Sequence, residues 1–188
     1  MIGRRPSEAR RFKLSLRLLA SGIVLLLNVF HSPALATQVN GGSEQRRFGI
    51  DVHVKKPTTI PEEVLRNLRT DERARACLQE GQDANSVDAS WFVASVIHLG
   101  ANNVDDLIVM PQNACLLGAN IGPFWVYRKT PTGFGLVLVT NALGLEVLST
   151  RTRGLRDIHA SSATATKVST KTFSFNGSRY QRRSAPPR

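Results

Sequence analysis

From residue 91 onward the chain is a succession of short runs: "WFVASVIHL", "LIVM", "FWVYR", "GFGLVLVT", "GLEVLSTR" and "TKVSTKTFSF". They are rich in Val, Ile, Thr and aromatics, and Gly, Asn or Pro separates several of them. Such side chains fit a pleated, half-buried surface, and such separators turn the chain between strands. Antiparallel β structure is therefore expected here. The last run ends at Asn176-Gly177, a pair that favours a type I′ hairpin because both central positions need positive φ. Phe173 and Phe175 should fold back toward Tyr180.

The segment "PEEVLRNLRTDERARACLQE" before these runs has a different period. Pro61 suits a first helical position, Glu62 and Glu63 complement the helix dipole, and Val64, Leu65 and Leu68 share one face. Thr70, followed by Asp71 and Glu72, reads as a new N-cap, so a second short helix should carry Ala74, Cys77 and Leu78. Arg66, Arg69, Arg73 and Arg75 read as a wet helix face, with a phosphate-binding row as the sharper alternative. Upstream, Phe48, Ile50, Val52 and Val54 alternate with polar residues, which predicts a short strand that Pro57 ends.

The N-terminus supplies an address. Arg4, Arg5, Arg10, Arg11, Lys13 and Arg17 precede an apolar run over residues 18–30, and "SPALA" follows. This is the three-part pattern of a secretory signal peptide cut after Ala36. The run is shorter than the roughly 20 residues that a membrane-spanning helix needs, so no stable span is expected after cleavage. Removing residues 1–36 removes six basic residues and one acid, which lowers the net charge from +11 to +6. A moderately basic surface favours anionic partners. The two cysteines, Cys77 and Cys115, suggest a disulfide in an exported protein.

The domain reading is a signal peptide over residues 1–36, a lead-in with a short strand over 37–58, one globular domain over 59–181 and a basic, disordered tail over 182–188. The fold class is α+β, a mostly antiparallel sheet or sandwich with a short N-terminal helical segment and blade-like hairpin units.

The acid- and amide-rich stretch "HLGANNVDDLIV" invites a metal reading. It leads to "PFWVYR" and the turn "TPTGF", just as "TRTRGLRDIHA" leads to "TKTFSF" and "NGSRY". In both units an Asp-aliphatic step (Asp106-Leu107, Asp157-Ile158) precedes an aromatic strand and a Gly-containing turn. The pattern resembles the blade repeats of FG-GAP, or integrin-alpha-type, β-propellers, whose loops have the form D-L-N-G-D-G-x-x-D-L. In the first unit His98, Gly100, Asn102 and Asn103 stand where that motif has Asp, Asn, Asp and Gly, and Arg153 and Arg156 flank the second. Calcium takes about six to eight oxygen ligands, so no metal is expected. The loop reads as a turn in which Asn102 and Asn103 tolerate left-handed backbone. A propeller needs roughly four or more blades, too many for this chain, and a sandwich or twisted sheet is expected instead. The "FWVYR", "GLRDI" and "FNG-x-RY" ending also resembles that of a class of small exported bacterial proteins.

Catalytic signatures are sparse. There is no G-x-S-x-G elbow and no H-E-x-x-H helix. Asp157, His159 and Ser161 form the one local Asp/His/Ser cluster, and alternation along a strand would put them on one side, but a triad also needs an oxyanion hole and a pocket. No catalytic residue and no cofactor is assigned. For binding, "PFWVYRK" places Trp125, Tyr127 and Lys129 on one face of a strand and Phe124, Val126 and Arg128 on the other. Trp125, Tyr127, Arg128 and Lys129 are the candidate aromatic and cationic contacts. The basic residues make no recognisable nucleic-acid module. The expectation is an exported, periplasmic or secreted, non-enzymatic binding module for an anionic envelope polymer or exported protein. An envelope hydrolase built on Asp157 and His159 is the alternative.

Overall fold

The β-type runs pair into two five-stranded antiparallel sheets, stacked face to face. The computed structural model describes residues 44–184. The expected signal peptide, the start of the lead-in and the last four residues lie outside the described residues.

One sheet contains β2 (Pro57–Thr58), β3 (Phe92–Ile97), β4 (Asp106–Pro111), β5 (Gly122–Thr130) and β6 (Gly133–Ala142), in that order. The other contains β1 (Arg47–Gly49), β7 (Gly144–Thr152), β8 (Leu155–Ala163), β9 (Val168–Phe175) and β10 (Tyr180–Arg182). The two repeat-like stretches fall on successive four-strand meanders, β3 to β6 and β7 to β10, each extended at its first edge by a short early strand.

The expected helices form. Helix α1 (Glu62–Thr70) starts after Pro61, has Glu62 and Glu63 in its first turn, and buries Val64, Leu65 and Leu68. Helix α2 (Glu72–Arg75) is capped by Asp71 rather than by Thr70, because the Asp71 carboxylate accepts the Arg73 backbone N–H at 2.9 Å. Both lie on the outer face of the β2–β6 sheet, over Phe92, Ala94, Leu107, Val109, Trp125 and Tyr127. The inter-sheet core is separate and contains Ile108, Phe124, Val126, Leu145, Val147, Ile158 and Phe175 among others. The layers are thus helices, sheet, sheet. The Cys77 and Cys115 sulfurs are at bonding distance, with Cα atoms 5.8 Å apart, and tie the segment after α2 to the β4–β5 connection.

Four expectations need correction. The lead-in is not separate from a domain beginning at residue 59: β1 pairs with β7, β2 pairs with β3, and Phe48 and Val54 sit in the inter-sheet core. Its alternating pattern is broken by a turn in which Val52 N–H donates to Gly49 O, so the chain crosses from one sheet to the other, Val52 is exposed, and Pro57 opens β2 rather than ending a strand. The basic tail is ordered farther than residue 181, since Arg182 belongs to β10 and Arg183 N–H donates to Thr172 O. The β9–β10 connection is a four-residue loop and not a type I′ turn. Gly177 alone has positive φ there, and Asn176 Oδ1 accepts the backbone N–H groups of Ser178 and Arg179. A two-residue turn with positive φ at both central positions occurs instead at Arg153 (φ 52) and Gly154 (φ 83), between β7 and β8.

Candidate functional site

The β5 strand does not present the expected aromatic and cationic patch. Trp125 and Tyr127 are each 1 % exposed, and Phe124 and Val126, on the opposite face, are fully buried. Because helices cover the outer face of this sheet, both faces of β5 are core. The Trp125 indole N–H donates to Asp71 Oδ2 at 2.8 Å, and Tyr127 OH donates to Asn67 Oδ1 at 2.8 Å. Burial, and secondarily the Asp71 charge, raise the Tyr127 hydroxyl above its ordinary range. Arg128 and Lys129 are exposed, each over an aromatic ring: Arg128 lies 5.6 Å from the Phe175 centroid and Lys129 lies 4.2 Å from that of Phe134.

The loop of residues 98–106 is built as a turn. Asn103 has φ 50, and the buried Asp106 carboxylate accepts the backbone N–H groups of Leu99 at 3.0 Å and Lys129 at 2.9 Å. Burial raises the Asp106 carboxyl above its usual range, against the pull of these two N–H groups and the charges of Arg128 and His98. The His98 ring lies between Glu44 (Nδ1 to Oε1, 2.9 Å) and Asp105 (Nε2 to Oδ1, 3.1 Å), which fastens the lead-in to this loop.

Asp157, His159 and Ser161 alternate along β8, but they form no relay. Ser161 Oγ donates to Gly144 O at 3.2 Å, and His159 stands opposite Glu146 on β7. Asp157 is 1 % exposed. Burial raises its carboxyl, but the hydroxyls of Thr152, Ser174 and Thr150 and the charge of Arg183 outweigh burial and leave it below the ordinary carboxylate range. Its Oδ1 and the Ser174 hydroxyl are buried, with no hydrogen bond of normal geometry among the described residues. A buried carboxylate that faces hydroxyls and makes no hydrogen bond to His159 among the described residues suits neither a base exposed to substrate nor an orienter of His159.

The fold concentrates arginines instead. Residues 122–184 hold ten Lys and Arg against two acids, Glu146 and Asp157, whereas residues 59–121 hold four against nine. Most of the basic group lies where the β7–β8 and β9–β10 turns come together. Arg153 Nη1 donates to Asn176 O across the two turns, Arg151 pairs in register with Arg156, and Arg183 Nη2 reaches Thr152 Oγ1 at 3.5 Å. Arg128, over Phe175, and Arg179, in the β9–β10 loop, complete the end. Burial, then repulsion from Arg46 and Arg151, draw Arg156 below the usual guanidinium range, with Glu44 opposing. Asp106 and Asp157 beside this end are buried, and the half-buried Glu44, which also faces Arg156, is paired with Arg46 and His98.

Sequence reasoning missed this end because its arginines are scattered over residues 128–183. The signal was a count of charge along the chain, which changes sign between residues 59–121 and residues 122–184. Comparison with known proteins finds no matching family model, no matching curated protein and no matching solved structure.

Proposed function

We propose that this chain is an exported, non-enzymatic binding module that uses the arginine-rich hairpin end of its β7–β10 sheet to hold an anionic envelope component or the acidic surface of an exported protein. The observation that carries this reading is the convergence of Arg151, Arg153, Arg156 and Arg179 around two turns beside which Asp106 and Asp157 are buried and Glu44 is already paired. Guanidinium groups suit the task because their planar donors match carboxylate and phosphate oxygens and stay charged at any physiological pH. Export agrees with the leader pattern, with the cysteine pair at bonding distance, and with the lack of any helix among the described residues long and apolar enough to cross a membrane.

The test is capture from a cell-envelope extract by the oxidised chain from Thr37 onward, beside an Arg179→Glu/Arg183→Glu variant. Capture that weakens with added salt and is lost in the variant supports the reading. Capture indifferent to both overturns it. So does breakdown of an envelope polymer by the wild type that an Asp157→Ala/His159→Ala variant no longer performs, which would favour the hydrolase.

A further inference from the structure

The β6 strand is ten residues long and stands at the edge of its sheet, bonded only to β5. Among the described residues, no backbone-to-backbone hydrogen bond outside that ladder involves residues 133–142, and at the strand's start Gly133 O accepts the Thr130 hydroxyl. Its sequence, "GFGLVLVTNA", contains no charge and no proline, the usual means by which an exposed edge is kept from pairing. The register shifts opposite Val126 and Tyr127, leaving Val137 as a bulge, which bends the edge without covering it. Leu136 is 39 % exposed. A groove of about 460 Å³ lies between this edge and β10, and Leu136, Val137, Phe173, Arg179 and Arg182 are among the residues that line it.

We propose that this groove takes an extended, acidic segment of a partner protein, which adds to β6 as an eleventh strand. The inference rests on the anion-binding reading above and names its partner class as polypeptide. Backbone groups of the β6 edge would supply the pairing, alternate apolar side chains of the guest would cover Leu136 on the helix-side face, and its acids, on the opposite face beside Phe173, would meet Arg179 and Arg182. Charge selects this guest over a second copy of the chain, because pairing two β6 edges would bring two sets of these arginines together without an acid between them.

The experiment uses decapeptides alternating Val with Glu and Val with Lys, the Val–Glu peptide N-methylated at alternate residues, and inorganic polyphosphate, each titrated into isotopically labelled mature protein. The Val–Glu peptide should shift and protect the β6 amides. The Val–Lys and N-methylated peptides should bind at least about tenfold more weakly, as should the Val–Glu peptide to Leu136→Lys, whose amide spectrum shows whether it is folded. Polyphosphate binding at Arg179 and Arg183 with no Val–Glu response at β6 overturns the strand inference and leaves the anion-binding reading standing. If neither probe binds, both fail. Equal binding of N-methylated and unmodified peptide overturns strand addition, and a dimer that Leu136→Lys disrupts overturns the choice of guest.

Discussion

Asp71 divides its carboxylate between a helix and the core: Oδ1 accepts the Arg73 N–H that caps α2, and Oδ2 accepts the buried indole N–H of Trp125 at 2.8 Å. This side chain, together with the Tyr127 hydroxyl bond to Asn67, fixes the helical layer to β5. Phe92 packs edge-on against the same indole, with ring centroids 5.5 Å apart.

Replacing Asp71 by Ala removes a cap and leaves a buried N–H without a partner. The expected loss is about 2–3 kcal/mol, of which about 1 is the cap. Tyr127→Phe should cost less, about 1 kcal/mol, because its partner Asn67 is exposed and can turn to water. Urea unfolding with unchanged slope measures both, and a Tyr127→Phe loss as large as that of Asp71→Ala would refute this account.

The Cys77–Cys115 link spans 38 residues, which includes β3 and β4. A loop of that length contributes about 4 kcal/mol in the chain-entropy view. A Cys77→Ser/Cys115→Ser variant should therefore melt well below the oxidised protein and be indifferent to reductant. Equal melting of the two would mean that the helical layer is held by packing alone.

These two contacts also show what the residues told in advance. The helix face of Val64, Leu65 and Leu68, the cysteine pair and most of the strands are written in local period, composition and spacing. The β8 strand was not among the β-type runs: "LRDIHASSA" has a single β-branched residue, yet it lies in the interior of its sheet because β7 and β9 pair with it on both sides. Alternation also could not tell that both faces of β5 are covered. Burial of Trp125 depends on α1 and α2 returning over β5 from residues more than 50 positions earlier. The arginine end arises in the same way, from turns that meet only in three dimensions.

The turn chemistry moved from Asn176-Gly177 to Arg153-Gly154, and glycine substitutions test that placement. Gly154 has φ 83, with open space where the methyl group of an alanine would stand, so Ala there is penalised by backbone alone, at about 1–2 kcal/mol. Gly135, in β6, has ordinary φ, and a Cβ would meet only Thr130 Cγ2 at 3.9 Å. Gly135→Ala should be neutral or stabilise by about 0.5 kcal/mol. Thermal melts of the pair separate the two cases, and a harmless Gly154→Ala would show that the tight turn lies elsewhere.

Asp106 and Asp157 are both buried near the start of their strands, but their carboxyls are displaced in opposite directions. Asp157 lies below its ordinary value in the folded chain, so the unfolded state takes up its proton first. Its stabilising contribution is complete above the ordinary carboxylate value and is lost as pH falls through that value toward the lower folded one. Asp106 lies above its ordinary value, so the folded state takes up the proton first. Its ionisation costs stability above the raised value, and that cost is relieved as pH falls toward the ordinary value. Asp157→Asn should therefore make stability less sensitive to acid than in the wild type, and Asp106→Asn should make it more sensitive. The lowered carboxyls of the exposed caps Asp83 and Asp88 add the same acid-sensitive background to all three proteins. Urea midpoints followed from neutral pH into the acid range give the comparison. If Asp157→Asn declined with acid as steeply as the wild type, the hydroxyls of Thr152, Ser174 and Thr150 would not be holding that carboxylate in its charged form.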